Sequence, residues 1–156
     1  MAGGGFYSLM VRSLMRSWFR LTRSMTIGVR AIVTDDQGRV LLIRPSYLPG
    51  WTFPGGGLER GETAAEALAR ELHEEAAVTI KGEPKLFGFY SNERDFRGDH
   101  VLLYVVREFE VGAFVPTLEI KEAQFFNLQN LPADVSKGTR RRIEEVTKEQ
   151  RPAASW

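Results

Sequence analysis

The sequence predicts an α/β domain from three observations: two β-branched runs near its start, one strongly signalled central helix, and short strands ahead of a final helix. At 156 residues, the chain is long enough for one domain with its own hydrophobic core. The β-branched runs are Ile27–Thr34 and Arg39–Arg44, and residues 35–38 between them are typical of a turn. We therefore predict a β-hairpin at the start of the domain.

The central helix is marked by its first turn and by its apolar spacing. Thr63 and Glu66 match a capping box, and the alanine-rich stretch that runs to Ala77 has high helix propensity. Four apolar residues recur at helical spacing and predict the buried face: Ala65, Leu68, Leu72 and Ala76.

The second half of the chain predicts three more strands and a final helix. The strands are Leu86–Ser91, His100–Phe109 and Ala123–Asn127, the helix is Lys137–Gln150, and Ser136 is its N-cap. We place the domain at residues 26–150, between an N-terminal segment (1–25) and a C-terminal tail (151–156).

The central helix also carries a cluster of acids that disfavours it. Glu71, Glu74 and Glu75 stand at i, i+3 and i+4 and therefore share one face, where each like-charge pair costs a few tenths of a kcal/mol. Arg70 neutralises only part of this charge. Carboxylate oxygens suit hard cations such as Mg²⁺ or Mn²⁺, and residues 54–57 (Pro-Gly-Gly-Gly) just upstream allow close approach to the main chain. The sequence thus predicts a divalent-cation site.

These residues resemble the Nudix box, whose pattern is G-x5-E-x7-R-E-U-x-E-E-x-G-U, where U is aliphatic. The matching residues are Gly56, Glu62, Arg70, Glu71, Leu72, Glu74, Glu75 and Val78. Ala77 stands where the pattern has glycine, which puts the geometry of the helix end in question. The resemblance extends from about Met25 to Gln150 and implies the Nudix fold, a mixed β-sheet in an α/β/α sandwich.

The resemblance also implies a reaction and a site. Nudix hydrolases cleave the diphosphate of a nucleoside diphosphate joined to another group, X, with Mg²⁺ or Mn²⁺. Carried over residue by residue, Glu71 and Glu75 are metal ligands, Glu74 is a ligand or the general base, and Arg70 orients a carboxylate. The remaining metal-site predictions are the Gly55 carbonyl, Glu62 as a support, and one further acid, Glu119 or Glu122, both of which are alternatively ordinary loop charges.

Recognition of the substrate is less clearly marked. Tyr47, Trp51 and Phe53 are candidates for stacking on a base, with core packing as the alternative, and Arg44 either meets phosphate or ends a strand. A non-catalytic Nudix-fold module that binds nucleotides or regulates stays open as a second function. The intact acidic set favours the enzyme, because a binding module has no need to keep mutually repelling carboxylates.

Composition excludes several other classes. The absence of cysteine excludes disulfides, thiolate zinc sites and a cysteine nucleophile, and neither a G-x-S-x-G elbow nor a phosphate-binding G-K-[ST] loop occurs. The near balance of 21 basic and 20 acidic residues gives no sign of a nucleic-acid partner. No apolar run approaches the roughly 20 residues of a membrane span. We expect a cytoplasmic protein, with peripheral attachment to a membrane as an open alternative, and the Nudix resemblance implies a small diphosphate as its substrate.

The N-terminal segment has its own pattern. Arg12, Arg16, Arg20 and Arg23 form one helical stripe without any acid, beside an apolar stripe of Val11, Leu14, Trp18 and Leu21. Three interpretations stay open: a helix docked on the domain or on a second subunit of a homodimer, a helix over residues 6–23 lying peripherally on a membrane surface, and a cleaved organellar presequence.

Overall fold

Seven β-strands and two α-helices make up residues 25–156, the part of the chain that the computed structural model describes. In chain order they are β1 (Thr26–Val33), β2 (Val40–Pro45), α1 (Ala64–Ala76), β3 (Val78–Ile80), β4 (Lys85–Ser91), β5 (Asp99–Val106), β6 (Phe109–Val111), β7 (Ile120–Phe126) and α2 (Lys137–Thr147). The predicted amphipathic segment falls, except for Met25, outside the described residues. No helix of residues 25–156 is both long and apolar enough to cross a membrane.

The strands form one mixed sheet and two antiparallel pairs. In the three-stranded sheet the order is β1-β5-β4, where β5 runs parallel to β1 and antiparallel to β4. β2 pairs with β7 and β3 with β6. The prediction of a mixed sheet with helices is confirmed, although the short strands β3 and β6 were not expected from the sequence.

The predicted hairpin of β1 and β2 is wrong. The turn between the two strands exists: the Asp35 amide donates to the Arg39 carbonyl at 3.1 Å, and Thr34 bridges to Val40. Beyond this point the strands separate, and each pairs with a distant partner, β5 or β7.

Residues 52–58, which we call the glycine segment, lie between β1 and β2. On one side, the amides of Thr52 and Ile43 each donate to the other's carbonyl, at 3.0 and 2.9 Å. On the other side, the amides of Val29 and Ala31 donate to carbonyls of the segment. The main-chain groups that a hairpin would have paired are therefore satisfied by this segment, which fixes it beside β1.

The core consists of two clusters on opposite sides of the strands. One packs β1 and β2 residues against the buried face of α1, and the other packs the alternate residues, such as Ile32 and Leu42, against Ile143 of α2. A helix on each side gives the α/β/α arrangement. On α1 the predicted residue Ala65 is exposed and Ala67 is buried instead, since the helix turns a slightly different face to the strands.

The C-terminal tail is docked on the domain. The Ser91 amide donates to the Ala154 carbonyl, and the Trp156 amide donates to the Ser91 carbonyl, both at 2.9 Å. The Trp156 indole packs edge-on against Tyr90, at 5.4 Å between ring centroids. α2 begins after its predicted cap, Ser136, and ends three residues earlier than expected.

Candidate active site

The glycine segment lies directly on the acidic face of α1. The Gly55 amide donates a hydrogen bond of 2.6 Å to Oε2 of Glu75. Gly55 has φ = 135°, and a side chain there would overlap the Val29 carbonyl. A side chain on Gly56 would overlap the Glu71 carboxylate. Glycine is therefore required at both positions for the main chain to approach the acids this closely.

Glu75 is the acid that the fold buries. Its side chain is 8 % exposed. Burial raises the pKa of the Glu75 carboxyl to about 7, and the charges of Glu71 and Glu119 add to this effect. The hydrogen bond from Gly55 and the positive charge of Arg30 act in the opposite direction. A carboxyl group held in this way would ionise more readily beside an added cation.

Arg70 forms ion pairs with the other three acids of the motif. Its guanidinium donates to both carboxylate oxygens of Glu62, at 2.8 and 3.0 Å, and to Glu71 at 2.8 Å. It also reaches Glu74 at 3.4 Å and the Gly57 carbonyl at 3.1 Å. The side-chain hydrogen bonds from Arg70 hold the pKa of Glu62 below its ordinary value. These contacts suit the predicted orienting role of Arg70.

Of the two further acids, the structure brings only Glu119 to the site. Glu119 lines an open cavity of about 420 Å³ together with Glu71, Glu74 and Glu75. Glu122 lies on β7 opposite Arg44 and forms an ion pair with it at 3.5 Å. Its carboxylate is therefore engaged away from the α1 acids.

The donor chemistry of this site fits a hard divalent cation, since the Glu75 carboxylate lies beside the main chain of Gly55 and the Glu71 carboxylate lies beside Gly56. The geometry is not preassembled: within residues 25–156 no three acids or histidines converge in an arrangement that could hold a metal ion. Glu71 and Glu74 point to Arg70 instead. Binding of a metal therefore requires at least one of these carboxylates to turn away from Arg70.

The four residues predicted to contact the substrate separate into two groups. Trp51 and Phe53 are 3 % and 0 % exposed and pack in the core, which leaves no ring face for a base and favours the alternative interpretation. Arg44 is occupied by Glu122 and Asp134 and lies over the Trp51 ring.

Tyr47 is placed differently. Its ring is largely exposed, and partial burial together with the charge of Glu75 raises the pKa of Tyr47. Of the four predicted residues, Tyr47 alone remains available to a ligand near the acids.

The sequence reasoning missed Arg30. This half-buried residue of β1 lines a cavity of about 440 Å³, which we call the main cavity, beside Gly56 and Gly57. Arg30 takes part in none of the ion pairs found among the described residues. Its sequence signal was a charge inside an otherwise apolar strand.

The end of α1 accommodates the departure from the glycine pattern. Ala77 adopts the left-handed conformation, with φ = 53° and ψ = 33°, and its amide donates to the His73 carbonyl at 3.0 Å. The backbone thus makes the turn that glycine usually makes at a helix end.

Comparison with known proteins identifies the family. The NUDIX domain family model matches residues 25–146, which include the glycine segment, α1 and Glu119. The chain belongs to the Nudix family. An ADP-ribose pyrophosphatase of Methanocaldococcus jannaschii is 33% identical over 117 residues, which cover 73% of this chain and 69% of that protein. An RNA pyrophosphohydrolase of Legionella pneumophila is 44% identical over 62 residues, covering 40% of this chain and only 35% of that protein.

Solved structures confirm the Nudix fold. A MutT NUDIX hydrolase from Burkholderia pseudomallei superposes with a TM-score of 0.68 at 24% identity, covering 79% of this chain and 98% of that one. The NUDIX domain of Shewanella oneidensis NrtR, solved with ADP ribose, gives a TM-score of 0.66 at 20% identity and covers 83% of this chain and 91% of that one.

Proposed function

We propose that this Nudix protein hydrolyses the diphosphate linkage of nucleotide-derived substrates and that it does so with Mg²⁺ or Mn²⁺. Nudix hydrolases generally need a divalent metal, and the relatives are named as an ADP-ribose pyrophosphatase and an RNA pyrophosphohydrolase, both names of enzymes that act on nucleotide derivatives. The observation that carries the proposal is the burial of Glu75 against Gly55, next to Glu71. Burying a carboxylate next to a second acid is unfavourable, and a bound cation would offset this cost.

The residues take distinct roles in this proposal. Glu71, Glu75 and the Gly55 carbonyl would hold the metal, with Glu74 or Glu62 adding a ligand. A bound divalent ion neutralises diphosphate oxygens and lowers the pKa of the attacking water. Arg70 keeps Glu62 and Glu71 fixed before the metal arrives, through the bonds of 2.8 to 3.0 Å described above.

Of the four carboxylates that line the open cavity, Glu74 and Glu119 are the candidates for accepting the proton of the attacking water. Glu74 is 59% exposed and only weakly held by Arg70, and Glu119 lies across the cavity at the start of β7. Either carboxylate can act as general base with an effect of about 10²–10⁴ on rate. Glu122 is not retained in this role because Arg44 engages it.

A non-catalytic binding module is the second candidate, and one observation favours it. Arg70 already neutralises much of the charge on Glu62, Glu71 and Glu74 without any metal. If these acids stayed paired with Arg70 and never bound a metal, their role would be to stabilise the fold. Nucleotides would then bind without being cleaved.

A substrate screen separates the two candidates. Purified protein is assayed against nucleoside di- and triphosphates, nucleotide sugars and ADP-ribose, each with Mg²⁺, with Mn²⁺ and with chelator. We expect release of a phosphorylated product from at least one substrate, and only with metal. Nucleotide binding without turnover under any of these conditions would support the binding module instead.

A further inference from the structure

We propose that the main cavity receives the nucleobase of the substrate, stacked on Phe96, while Arg30 contacts the phosphate next to the ribose. The X group then lies on the other side of the acids, towards the open cavity at Glu119. This inference rests on the proposed function for its substrate class, but its test does not require turnover. Binding of the base in the main cavity would make the enzyme selective for the nucleoside half of its substrate.

Exposed apolar side chains converge on the main cavity. Ile27, Leu48 and Phe96 are 38%, 51% and 64% exposed, and all three line it. Apolar groups gathered around one concave site in this way mark a binding site for an apolar ligand surface. The volume of about 440 Å³ lies within the usual range of small-molecule pockets, roughly 300–1,000 Å³.

The turn that carries Phe96 is rigidly held. The Asp95 and Phe96 amides both donate to the Asn92 carbonyl at 3.0 Å, and the Asn92 side chain donates to Asp99 at 2.8 Å. Thr26 of β1 also donates to Asp99, at 2.6 Å. An exposed aromatic ring on a cross-braced turn is pre-organised for stacking, because little conformational freedom is lost when a ligand binds.

Arg30 supplies a positive charge for the substrate phosphate, between the site proposed for the base and the acids of α1. It is the only lysine, arginine or histidine among the described residues that line the main cavity. Its charge is felt by both Glu75 and Tyr47, so it lies near the boundary between the cavity and the acidic face. A guanidinium that has no ion-pair partner within residues 25–156 and lies at this boundary is suited to bind phosphate.

The glycine segment shows how the main cavity, the acids of α1 and the open cavity at Glu119 are arranged. Gly56 lines the main cavity and also abuts the Glu71 carboxylate. A diphosphate held at the acids therefore has the cavity on one side and, on the other, the opening lined by Thr117, Leu118 and Glu119. None of the described residues that line that opening is aromatic, which favours the main cavity for the base and the opening for X.

The test measures binding of ligands that cannot be hydrolysed at a diphosphate. Isothermal titration compares nucleosides with their 5′-monophosphates for the bases adenine, guanine, cytosine and uracil. We expect Phe96→Ala to weaken both the nucleoside and the monophosphate by roughly 5- to 100-fold, and Phe96→Trp to restore binding. Arg30→Met is expected to weaken only the monophosphate, by roughly 10-fold or more. A merely structural role of Arg30 would weaken both ligands alike.

Phe89→Ala is the matched control. Phe89 is 52% exposed on β4 and stacks on His100, but it does not line the main cavity. Failure of the wild type to bind any monophosphate, or equal losses in Phe89→Ala and Phe96→Ala, would overturn the proposal. Wild-type binding with the expected variant pattern but without hydrolysis of any diphosphate would leave the base site standing and refute the proposed activity.

Discussion

The Gly55 amide donates a 2.6 Å hydrogen bond to the buried carboxylate of Glu75, and this bond joins the glycine segment to α1. One side of the candidate site is main chain and the other is a row of acids. The segment is hydrogen-bonded to β1 and β2, so this bond links the position of the acid to the strands.

We expect Glu75→Gln to reduce kcat by about 10²-fold or more, because the change removes a charge at nearly constant shape from a proposed metal ligand. The measurement is steady-state hydrolysis of a substrate identified in the screen. Glu66→Gln is the control: Glu66 lies on another face of α1, where its carboxylate accepts the Thr63 amide at 2.8 Å, and glutamine also serves in a capping box. Near-normal turnover of Glu75→Gln would refute its assignment.

Divalent metal should stabilise the protein. A cation that binds only the folded state raises the free energy of unfolding by mass action, by about 2.7 kcal/mol at a hundred times its Kd. Thermal unfolding with increasing Mg²⁺ should therefore show a rising Tm, and Glu71→Gln should reduce the rise. A melting curve that does not respond to millimolar Mg²⁺ or Mn²⁺ would argue for the binding module.

The metal-free protein should lose stability as pH rises towards neutrality. Burial raises the pKa of Glu75 from 4.5 to about 7 in the folded state, so the folded state binds more protons than the unfolded state between these values. Its contribution is full below pH 4.5 and is lost as pH rises through 7, by roughly 3 kcal/mol at most.

Chemical unfolding between pH 5 and pH 8 in the presence of chelator measures this loss. Glu75→Gln mimics the protonated acid, so its free energy of unfolding should stay nearly flat over the same range. Asp35, whose pKa is lowered because hydrogen bonds from Arg39 outweigh its burial, contributes in the opposite sense and only below pH 4. Parallel profiles of the wild type and Glu75→Gln would contradict the prediction.

Ala77→Gly should stabilise the protein by about 1 kcal/mol, since the left-handed conformation costs an L-residue roughly 1–2 kcal/mol and costs glycine little. This corresponds to a rise in Tm of roughly 2–4 °C. Ala69→Gly provides a control of opposite sign, because Ala69 is exposed in the helix interior, where glycine costs about 1 kcal/mol. If both variants lose stability, Ala77 does not hold the left-handed conformation in solution.

The arginine-striped N-terminus remains a prediction from sequence. If residues 6–23 lie on membranes, full-length protein should sediment with anionic vesicles, salt should weaken this binding, and deletion of residues 1–24 should abolish it without changing hydrolysis. If the segment docks on the domain or on a second subunit, the deletion should instead lower Tm or change the sedimentation coefficient.

Local sequence patterns predicted the helix and its acids, because capping and i, i+3, i+4 spacing are set within a few residues. They did not predict the pairing of β1, which depends on strands and a segment far apart in sequence. The same limit applies to Trp51 and Phe53: an aromatic residue in a loop is recognised easily, but whether it faces a ligand or the core depends on Phe126, Ile143 and other distant partners. Arg30 was missed because only the folded structure shows that it lines the main cavity, and its neighbours in the sequence do not indicate this.

Because residues 52–58 are inserted between two strands, we expect this segment to tolerate insertions and substitutions less well than the loops around the main cavity. One added residue in that segment would shift its register by one position and carry Gly55 and Gly56 away from the acids. Residues 93–97 of the Phe96 turn and residues 47–49 are exposed and could be exchanged, whereas Gly50, with φ = 80° and the Asp134 carbonyl against it, must stay. An engineer seeking a new substrate should therefore graft these two loops and leave the inserted segment untouched.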